Sequence, residues 1–517
     1  MKKSKLIKYV MLGSCVGMLS FGCSESDFQK FPKDDVTEGA FFTGAENVRQ
    51  MLNDAYYTMR YFYSYSSSGF IFLGELPTDN AYNSKFNNSS NHTNLNEVDW
   101  QPDNGLFTHA WRYAYETISR CHLAMENAEK VMDAGTLQTR YINEAKYLRA
   151  LMYFNLVRSF GDVPLVLKDI TNPNDLFEYG REPKANVYAQ IISDLKDASN
   201  LPMKYTENTD IGYATGAAAR ALLGEVYLTL GQYSDAKTVF AELISSGVGA
   251  GYGLMDNYAD VFKARYSNNK EIVFAAQFAR GFDPSMGNPL VSQTYPNEAV
   301  PDPQLHPMLT RGSGTMLITR DLWNAFESTD PRREMIEVRV DENMQNQAVY
   351  LWTLKYFDED MSPDKLDSGA DIIVHRWADI LLMYAEALNE TGATGEALTY
   401  LKQVRTRVGL STDDALGASK DNMFLALELE RQRELHLEGH RWFDLVRTGR
   451  ALAVINHHLS TKTEFELQPE GGTGRHDAIE DLEKGTGRQL EAYRLIFPIP
   501  QTQINIVPEK LTQNPGY

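Results

Sequence analysis

The sequence predicts an all-α fold in which paired helices form the scaffold and long irregular segments interrupt it. Apolar residues recur at helical spacing in 44–62, 106–133, 138–160, 184–200, 214–246, 374–408 and 420–450. The main stretches between them, 63–105, 247–320 and 340–372, are rich in Asn, Ser, Gly and Pro. They far exceed the usual length of a connection, so they are candidates for functional loops.

One helical segment has the spacing of a tetratricopeptide repeat. Small and aromatic residues stand at the repeat positions of 217–244, namely Gly224, Tyr227, Gly231, Tyr233, Ala236 and Phe240. Residues 376–404 follow the pattern more weakly, and 141–153 share only part of it. Because a repeat buries its apolar face against its neighbours, several such helix pairs are expected to stack into one superhelix.

This stacking predicts the domain organisation. Residues 1–22 form a signal peptide, and residues 23–517 form one domain. Within it the helical repeats cover about 106–160, 184–246 and 374–450, and the ligand-facing loops cover about 63–105 and 247–372. A single repeat scaffold with insertions explains the 517 residues without several domains.

The composition excludes several classes of protein. The chain has 50 Lys and Arg against 69 Asp and Glu, a formal net charge of −19, and no clustered basic segment, so nucleic-acid binding is not expected. With 43% hydrophobic and 23% charged residues, disorder is excluded for the chain as a whole. The 28 tyrosines suggest recognition surfaces, although most aromatic side chains are expected in the core.

The N-terminus has the layout of an export signal that ends at a cysteine. Residues 2–8 carry lysines and residues 9–22 are uncharged, a run too short to span a bilayer. Cys23 follows this run and resembles the lipidated cysteine of a bacterial lipoprotein, which carries palmitate or another acyl group. Two alternatives are weaker: lipidation at Cys15, which would leave a very short apolar run, and an ordinary secretory peptide. Cys121 is then the only other thiol of the mature chain, so no intramolecular disulfide is expected.

Several motifs, in a shared order, resemble the SusD/RagB family of surface nutrient-binding lipoproteins of Bacteroidetes. They include EAKYLRALMYFNLVRSFGDVPLVL, NNKEIVFAAQF at 268–278, HRWADILLMYAEALNE at 375–390, ELERQRELHLEGHRWFDLVRTGR at 428–450 and the closing FPIPQTQINIVPEKLTQNPGY. The chain departs from the family in a relaxed lipidation motif and in the sequence of 430–435, where a second adjacent Arg is common.

The resemblance implies a tetratricopeptide-like scaffold with a loop-built ligand face and a lipid anchor in the outer membrane. It also implies surface exposure and a position as a lid on a SusC-like TonB-dependent transporter, to which the protein delivers captured oligosaccharides. No catalytic residue, cofactor or metal is implied. The alternative is a tetratricopeptide-type envelope scaffold that binds a protein partner; a glycosidase is favoured less, because catalytic motifs are missing.

The segment 428–450 contains residues that could be mistaken for a site. His436 and His440 are four residues apart, but Gly439 interrupts the helix and no metalloprotease glutamate is in place. The charged residues around them predict a partly buried ion-pair network that holds the last helices together; they are Glu430, Arg431, Arg433, Glu434, Arg441 and Asp444.

A sugar site needs aromatic platforms beside planar polar groups, and 79–104 has that mixture without helical or strand periodicity. Its candidate ligand residues are Asp79, Asn80, Tyr82, Phe86 and Trp100. Analogy with the family adds Tyr295 and Trp352 from the later loops.

Other aromatic residues are predicted to lie outside the ligand site. The helical tryptophans are expected in the core; they are Trp111, Trp323, Trp377 and Trp442. Residues 61–72 alternate as a packed strand or hairpin would.

Overall fold

The protein is a stack of helices from which two irregular segments project. The computed structural model describes residues 43–64, 68–84, 87–282, 285–296, 312–340, 349–361, 368–461 and 488–517. Its α-helices are α1 Ala45–Tyr63, α2 Phe70–Glu75, α3 Ser90–Asn96, α4 Gly105–Val131, α5 Thr136–Phe160, α6 Lys184–Ala198, α7 Gly216–Thr229, α8 Tyr233–Gly249, α9 Leu290–Thr294, α10 Arg320–Ala325, α11 Trp377–Glu390, α12 Thr394–Arg407, α13 Lys420–Leu435, α14 Arg441–Arg447, α15 Ala451–Ser460 and α16 Gln501–Ile506. The strands are β1 Ala81–Tyr82, β2 Ile272–Ala276, β3 Leu317–Ile318, β4 Ile336–Val340, β5 Val349–Thr353 and β6 Ile372–Arg376.

Neighbouring long helices pack against one another in chain order, as the repeat pattern predicts. Helix α4 packs against α1 and α5, α6 against α5 and α7, and α8 against α7 and α11. Helices α12 and α13 then pack against α11. The all-α prediction with tetratricopeptide-like stacking is confirmed, whereas the strand or hairpin predicted for 61–72 is wrong, because α1 and α2 occupy six of its nine described residues.

Glycines explain the geometry of two helix pairs. A Cβ atom on Gly224 of α7 would lie 2.3 Å from the ring of Phe240 on α8, so only glycine permits this approach. The turn between α7 and α8 contains Gly231 at φ 69°, and the turn between α11 and α12 contains Gly392 at φ 85°. In both helix pairs, a glycine at the corresponding repeat position adopts the left-handed backbone conformation in the turn between the helices.

Strands β2 and β6 mark the base of the larger insertion. They pair antiparallel, with Ile272 opposite Arg376 and Ala276 opposite Ile372. The backbone N–H of Trp377 donates to the carbonyl of Glu271 at 2.8 Å, which fixes the start of α11 beside the start of β2. The larger insertion, residues 277–371, thus begins and ends at adjacent points of the helical stack.

A network of buried ion pairs joins this insertion to the last helices. Glu434 on α13 accepts hydrogen bonds from Arg332, Arg376 and Arg407. The network also contains Lys355, bonded to Glu438 at 2.7 Å. Its charged members, all buried or nearly so except the partly exposed Glu327, are Glu271, Glu327, Asp330, Glu430, Glu434 and Glu438 with Arg332, Lys355, Arg376, Arg405, Arg407 and Arg433. Positive and negative charges balance, and the ion-pair interpretation of the charged cluster is confirmed.

The main hydrophobic core runs along the whole helical stack, from residues of α1 to the strand-like segment around Phe497 and Ile499. Cys121 lies in it, fully buried, and burial raises the pKa of its thiol to about 12. Within the described part of the chain, helices of sufficient length lack the continuous apolar run that a bilayer crossing requires.

Candidate functional site

The two irregular segments meet through a short antiparallel pair of strands. In β1 and β3, Ala81 lies opposite Ile318 and Tyr82 opposite Leu317. The pairing continues on one side, where the N–H of Ser84 donates to the carbonyl of Gly314 at 2.8 Å. The first predicted ligand segment is therefore held against the larger insertion.

Beside this pair lies a second hydrophobic cluster, separate from the main core. It contains Tyr82, Val291, Tyr295, Leu317, Trp352 and Met361. The rings of Tyr295 and Trp352 meet edge to face, with centroids 4.7 Å apart and planes at 84°. The structure thus brings together Tyr82, Tyr295 and Trp352, which come from three parts of the sequence.

These three aromatic residues are buried. Tyr82 is 4% exposed, and Tyr295 and Trp352 are 0% exposed. Gly312 packs so closely on the cluster that a Cβ atom there would lie 2.0 Å from the carbonyl oxygen of Tyr295. The cluster forms a floor between the two insertions.

Amide and hydroxyl side chains tie the loops together above β1 and β3. The amide of Asn87 donates to Asn83 at 2.9 Å and to the hydroxyl of Thr315 at 2.8 Å. Asn83 in turn donates to Thr93 at 3.0 Å. The bond from Asn87 to Thr315 links the first segment to the larger insertion side chain to side chain, and Thr315 in turn donates to Gln293 at 2.9 Å within that insertion. Sequence reasoning missed Gln293 and Thr315, and the only available signal was the polar composition of their loops.

The segment 79–104 is less irregular than its sequence suggests. Helix α3 lies within it, so the prediction of no helical periodicity is wrong there. The amide oxygen of Asn96 is already hydrogen-bonded, because it accepts the backbone N–H of Asn83 at 3.0 Å. Asn88 is exposed, and Asn91 and Asn94 are half-buried. Asn88 is thus the one exposed asparagine among the described residues of this segment, which also exposes Ser90, Gln101 and Asp103.

Asp79 and Asn80 are buried and bind the helical stack. The carboxylate of Asp79 receives two hydrogen bonds of 2.8 Å from Arg441, and the amide of Gln432 donates to both Asp79 and Asn80 at 3.0 Å. Burial alone would raise the pKa of Asp79, but the Arg441 guanidinium outweighs it and lowers the pKa. The structure gives both residues a structural role, and their predicted contact with a ligand stays a prediction.

Glu75 at the end of α2 is a buried carboxyl beside Asn80. Its oxygens accept hydrogen bonds from the backbone N–H groups of Gly439 and His440 at 2.7 and 3.2 Å, and from the Asn80 amide at 3.0 Å. Burial raises the pKa of Glu75 to about 7 in spite of these bonds. Gly74 reinforces the junction, since a Cβ atom there would lie 2.2 Å from the carbonyl oxygen of Gly439.

Trp100 lies in the main core and holds the C-terminus. Its ring is 0% exposed, and its indole N–H donates to the hydroxyl of Tyr517 at 2.7 Å. The rings of Trp442 and Phe497 lie 5.8 and 5.3 Å from it. In this arrangement the ring of Trp100 is not accessible to a ligand. Among the predicted functional residues, Phe86 and Cys23 lie outside the described residues.

The remaining aromatic predictions are mostly confirmed. Trp111, Trp377 and Trp442 are buried. Trp323 is half-buried and packs against the main core, so its assignment to the core is confirmed in part; the guanidinium of Arg333 lies 3.8 Å from its ring centroid. Arg333 covers the ring and stabilises the partly exposed position.

The two histidines of the segment 428–450 have different surroundings. His436 is fully buried and its Nδ1 lies 2.8 Å from the carbonyl oxygen of Arg433, whereas His440 is half-buried beside Glu75. Burial lowers the pKa of both, so both are neutral at pH 7. Over the described ranges, no three His, Cys, Asp or Glu side chains are grouped so that they could hold a metal ion.

Comparisons with known proteins agree with this architecture. A family model described as "Starch-binding associating with outer membrane" matches residues 33–228, and one described as "SusD family" matches residues 337–517. A SusD-like protein from Formosa agariphila is 26% identical over 491 residues, covering 88% of this chain and 94% of its own. The starch-binding protein SusD from Bacteroides thetaiotaomicron is 27% identical over 200 residues, covering 38% of this chain and 34% of its own.

A solved structure provides the corresponding match in three dimensions. It is described as a laminarin binding SusD-like protein and is 25% identical, with a TM-score of 0.74, covering 92% of this chain and 100% of its own. The motifs, the helical stack and both family models agree along the chain, and the protein belongs to the SusD/RagB family.

Proposed function

We propose that this protein binds glycans at the outer membrane and has no catalytic activity of its own. It captures an oligosaccharide on the face built by the two insertions and delivers it to a SusC-like TonB-dependent transporter. Family models and relatives named for starch binding, laminarin binding and association with the outer membrane support the glycan ligand and the location. Lipid on Cys23 provides the anchor and keeps the protein at the cell surface.

The observation that carries the proposal is the joint floor of the two insertions. Tyr82, Tyr295 and Trp352 share one cluster although they lie far apart in sequence. A rigid aromatic floor with fixed amide groups above it supports the loops that would contact sugar, because a site binds best when its supporting shell is already ordered. Contact with ligand then comes from side chains of the first segment that are open to solvent, such as the exposed Asn88, and Phe86 of the same segment stays a predicted ligand residue from its sequence position.

Calorimetry tests the ligand face with a panel of plant, microbial and host oligosaccharides. For a glycan that binds the wild type, Phe86→Ala and Asn88→Ala should each weaken binding at least tenfold, because stacking on an aromatic ring and an amide contact are lost. Asn422→Ala is the matched control; it removes an exposed amide on α13, outside both insertions, and should leave binding unchanged. Equal binding by all three variants would contradict this location, and no binding to any glycan would contradict the proposed function.

The transporter partner is tested separately in the native membrane. An affinity-tagged chain with Cys23 intact should purify from solubilised outer membranes together with a TonB-dependent transporter. Attachment to the same membrane raises the local concentration of one partner near the other, which favours the complex. Purification without any such transporter, under conditions that retain glycan binding, would remove the delivery step and leave glycan capture in place.

A further inference from the structure

The helical stack contains a cleft that the loop-built face does not include. It lies between the C-terminal end of α5, the start of α6, α7 and α14, and has a volume of about 290 Å³. This equals about ten water molecules at ~30 Å³ each, and is slightly below the ~300–1,000 Å³ of sites for drug-sized ligands. The cleft is therefore large enough for one sugar ring with its hydroxyl groups and too small for a chain.

Two polar side chains face the cleft without a partner. Within the described ranges, the imidazole of His440 and the ammonium of Lys184 make no hydrogen bond or ion pair, although both line the cleft. Because burial lowers the pKa of His440, its ring is neutral and offers one N–H donor and one acceptor nitrogen. A hydroxyl group, which also donates and accepts, complements such a ring.

The other charged groups of the wall are already paired, so the net charge of the lining is only +1, from Lys184. Arg158 bonds Glu225 at 2.9 Å, and Glu225 also contacts His375 at 2.8 Å. Arg447 bonds Asp444 at 2.8 Å. Burial opposes ionisation of both carboxyl groups, but the neighbouring arginines lower their pKa, so both stay charged at pH 7. An anionic ligand would face these two carboxylates, whereas a neutral ligand could donate hydroxyl protons to them.

The rest of the wall is apolar. Tyr188, Val157, Leu230 and Ile496 contribute to it, and Phe443 lies beneath Arg158, whose guanidinium is 4.1 Å from the ring centroid. Sugars combine C–H faces with a rim of hydroxyl groups, and this cleft combines an apolar wall with unpaired and partly used hydrogen-bonding groups. We propose that the cleft binds a single neutral pyranose unit, which would give the protein a second sugar site on its helical scaffold. This inference rests on the proposed glycan capture and extends it.

The test uses His440 itself as the reporter. Full-length mature protein carrying 13C at histidine Cε1 is titrated with methyl α- and β-D-glucopyranoside, and with the corresponding galactoside, mannoside and xyloside. His440→Gln assigns the resonance among the 10 histidines. At least one of these glycosides should shift the His440 resonance saturably at millimolar concentration.

Variants of helix α6 show whether the cleft is the binding site. Ala185→Trp fills the cleft and should abolish the shift, whereas Ala189→Trp places the same side chain one helical turn away, at an exposed position outside the cleft, and should retain it. Lys184→Met should weaken the titration at least threefold, and Lys196→Met, exposed on the same helix, should not.

Three results would overturn the proposal. They are the absence of a saturable shift with all of these glycosides, an equal shift in the variant with a filled cleft, and a shift with glucuronate, titrated as the anionic comparison, but with none of the neutral glycosides. None of these results concerns the loop-built face, where calorimetry with oligosaccharides reports separately, so failure of the second site and failure of the proposed function are distinguishable.

Discussion

Neutralising Glu434 is expected to destabilise the protein strongly. This carboxylate is 0% exposed and lies among the guanidinium groups of Arg332, Arg376 and Arg407. Burial opposes its ionisation, but the three arginines hold its pKa well below the ordinary value. Glu434→Gln keeps the shape of the side chain, removes its charge and replaces one of the two acceptor oxygens by an NH2 donor. The substitution leaves the network with one buried positive charge in excess.

The magnitude follows from the number of partners. At an effective dielectric constant of about 20, one opposite charge at about 4 Å contributes ~4 kcal/mol, so three partners contribute roughly 12 kcal/mol. The neutral amide no longer carries the cost of burying a charge, which offsets several kcal/mol of that loss. We therefore expect Glu434→Gln to lower the free energy of unfolding by about 5 kcal/mol, at the upper end of the ~3–5 kcal/mol for breaking a buried pair.

Urea denaturation followed by far-UV circular dichroism at pH 7 measures this effect. Glu116→Gln is the matched control, because its partner Arg112 lies 2.8 Å away on the exposed face of α4 and such pairs contribute about 1 kcal/mol or less. Adding Arg407→Met to Glu434→Gln restores the charge balance and should recover part of the loss. If Glu434→Gln destabilises no more than Glu116→Gln, the buried network does not stabilise the fold as argued.

Three further predictions concern the helix pair, the α2 junction and the anchor. Gly224→Ala should lower the free energy of unfolding by ~1–3 kcal/mol through the clash with Phe240, whereas Gly395→Ala, with open space around it in a helix, should raise it by up to ~1 kcal/mol; urea denaturation measures both. The pKa of Glu75 is raised to about 7 from an unfolded value of about 4.3, so its contribution to stability is complete below about pH 4.3 and is lost as pH rises through 7. Glu75→Gln should therefore flatten the pH dependence of the unfolding midpoint between pH 5 and 8, and an unchanged profile would contradict the assignment. Cys23→Ala should abolish palmitate labelling and move the protein from the membrane fraction; retained labelling would contradict lipidation there.

The helical scaffold could be predicted from sequence because its signals are local. Apolar spacing predicts a helix over 184–200, and the structure has Lys184–Ala198. The segment 214–246 contains two helices, and the small and aromatic residues of the repeat already indicated the break at Gly231. Each of these features depends on residues within one or two helical turns. They can therefore be recognised without knowing which distant residues pack against them.

The predicted ligand residues could not be placed in the same way, because their environment depends on distant partners. Trp100 is covered by Trp442 and Phe497 and bonded to Tyr517, and Asp79 is paired with Arg441. A loop with aromatic, amide and acidic residues has the composition of a sugar site whether its side chains face solvent or the core. The burial of the side chains separates the two cases. That burial depends on contacts with residues hundreds of positions away in the sequence.

The distribution of the buried charges explains how variable loops can be carried on a fixed scaffold. Arg332 and Lys355 come from the larger insertion, and their partners Glu434 and Glu438 come from α13 and the turn after it. The ends of the insertion are held independently by the pairing of β2 with β6. Since an unpaired charge in this interior would cost several kcal/mol, the ion pairs favour one orientation of the insertion over all others. The loops between these attachment points can therefore change in sequence while the helices keep their packing, and under the proposed function such changes would alter which sugar is bound.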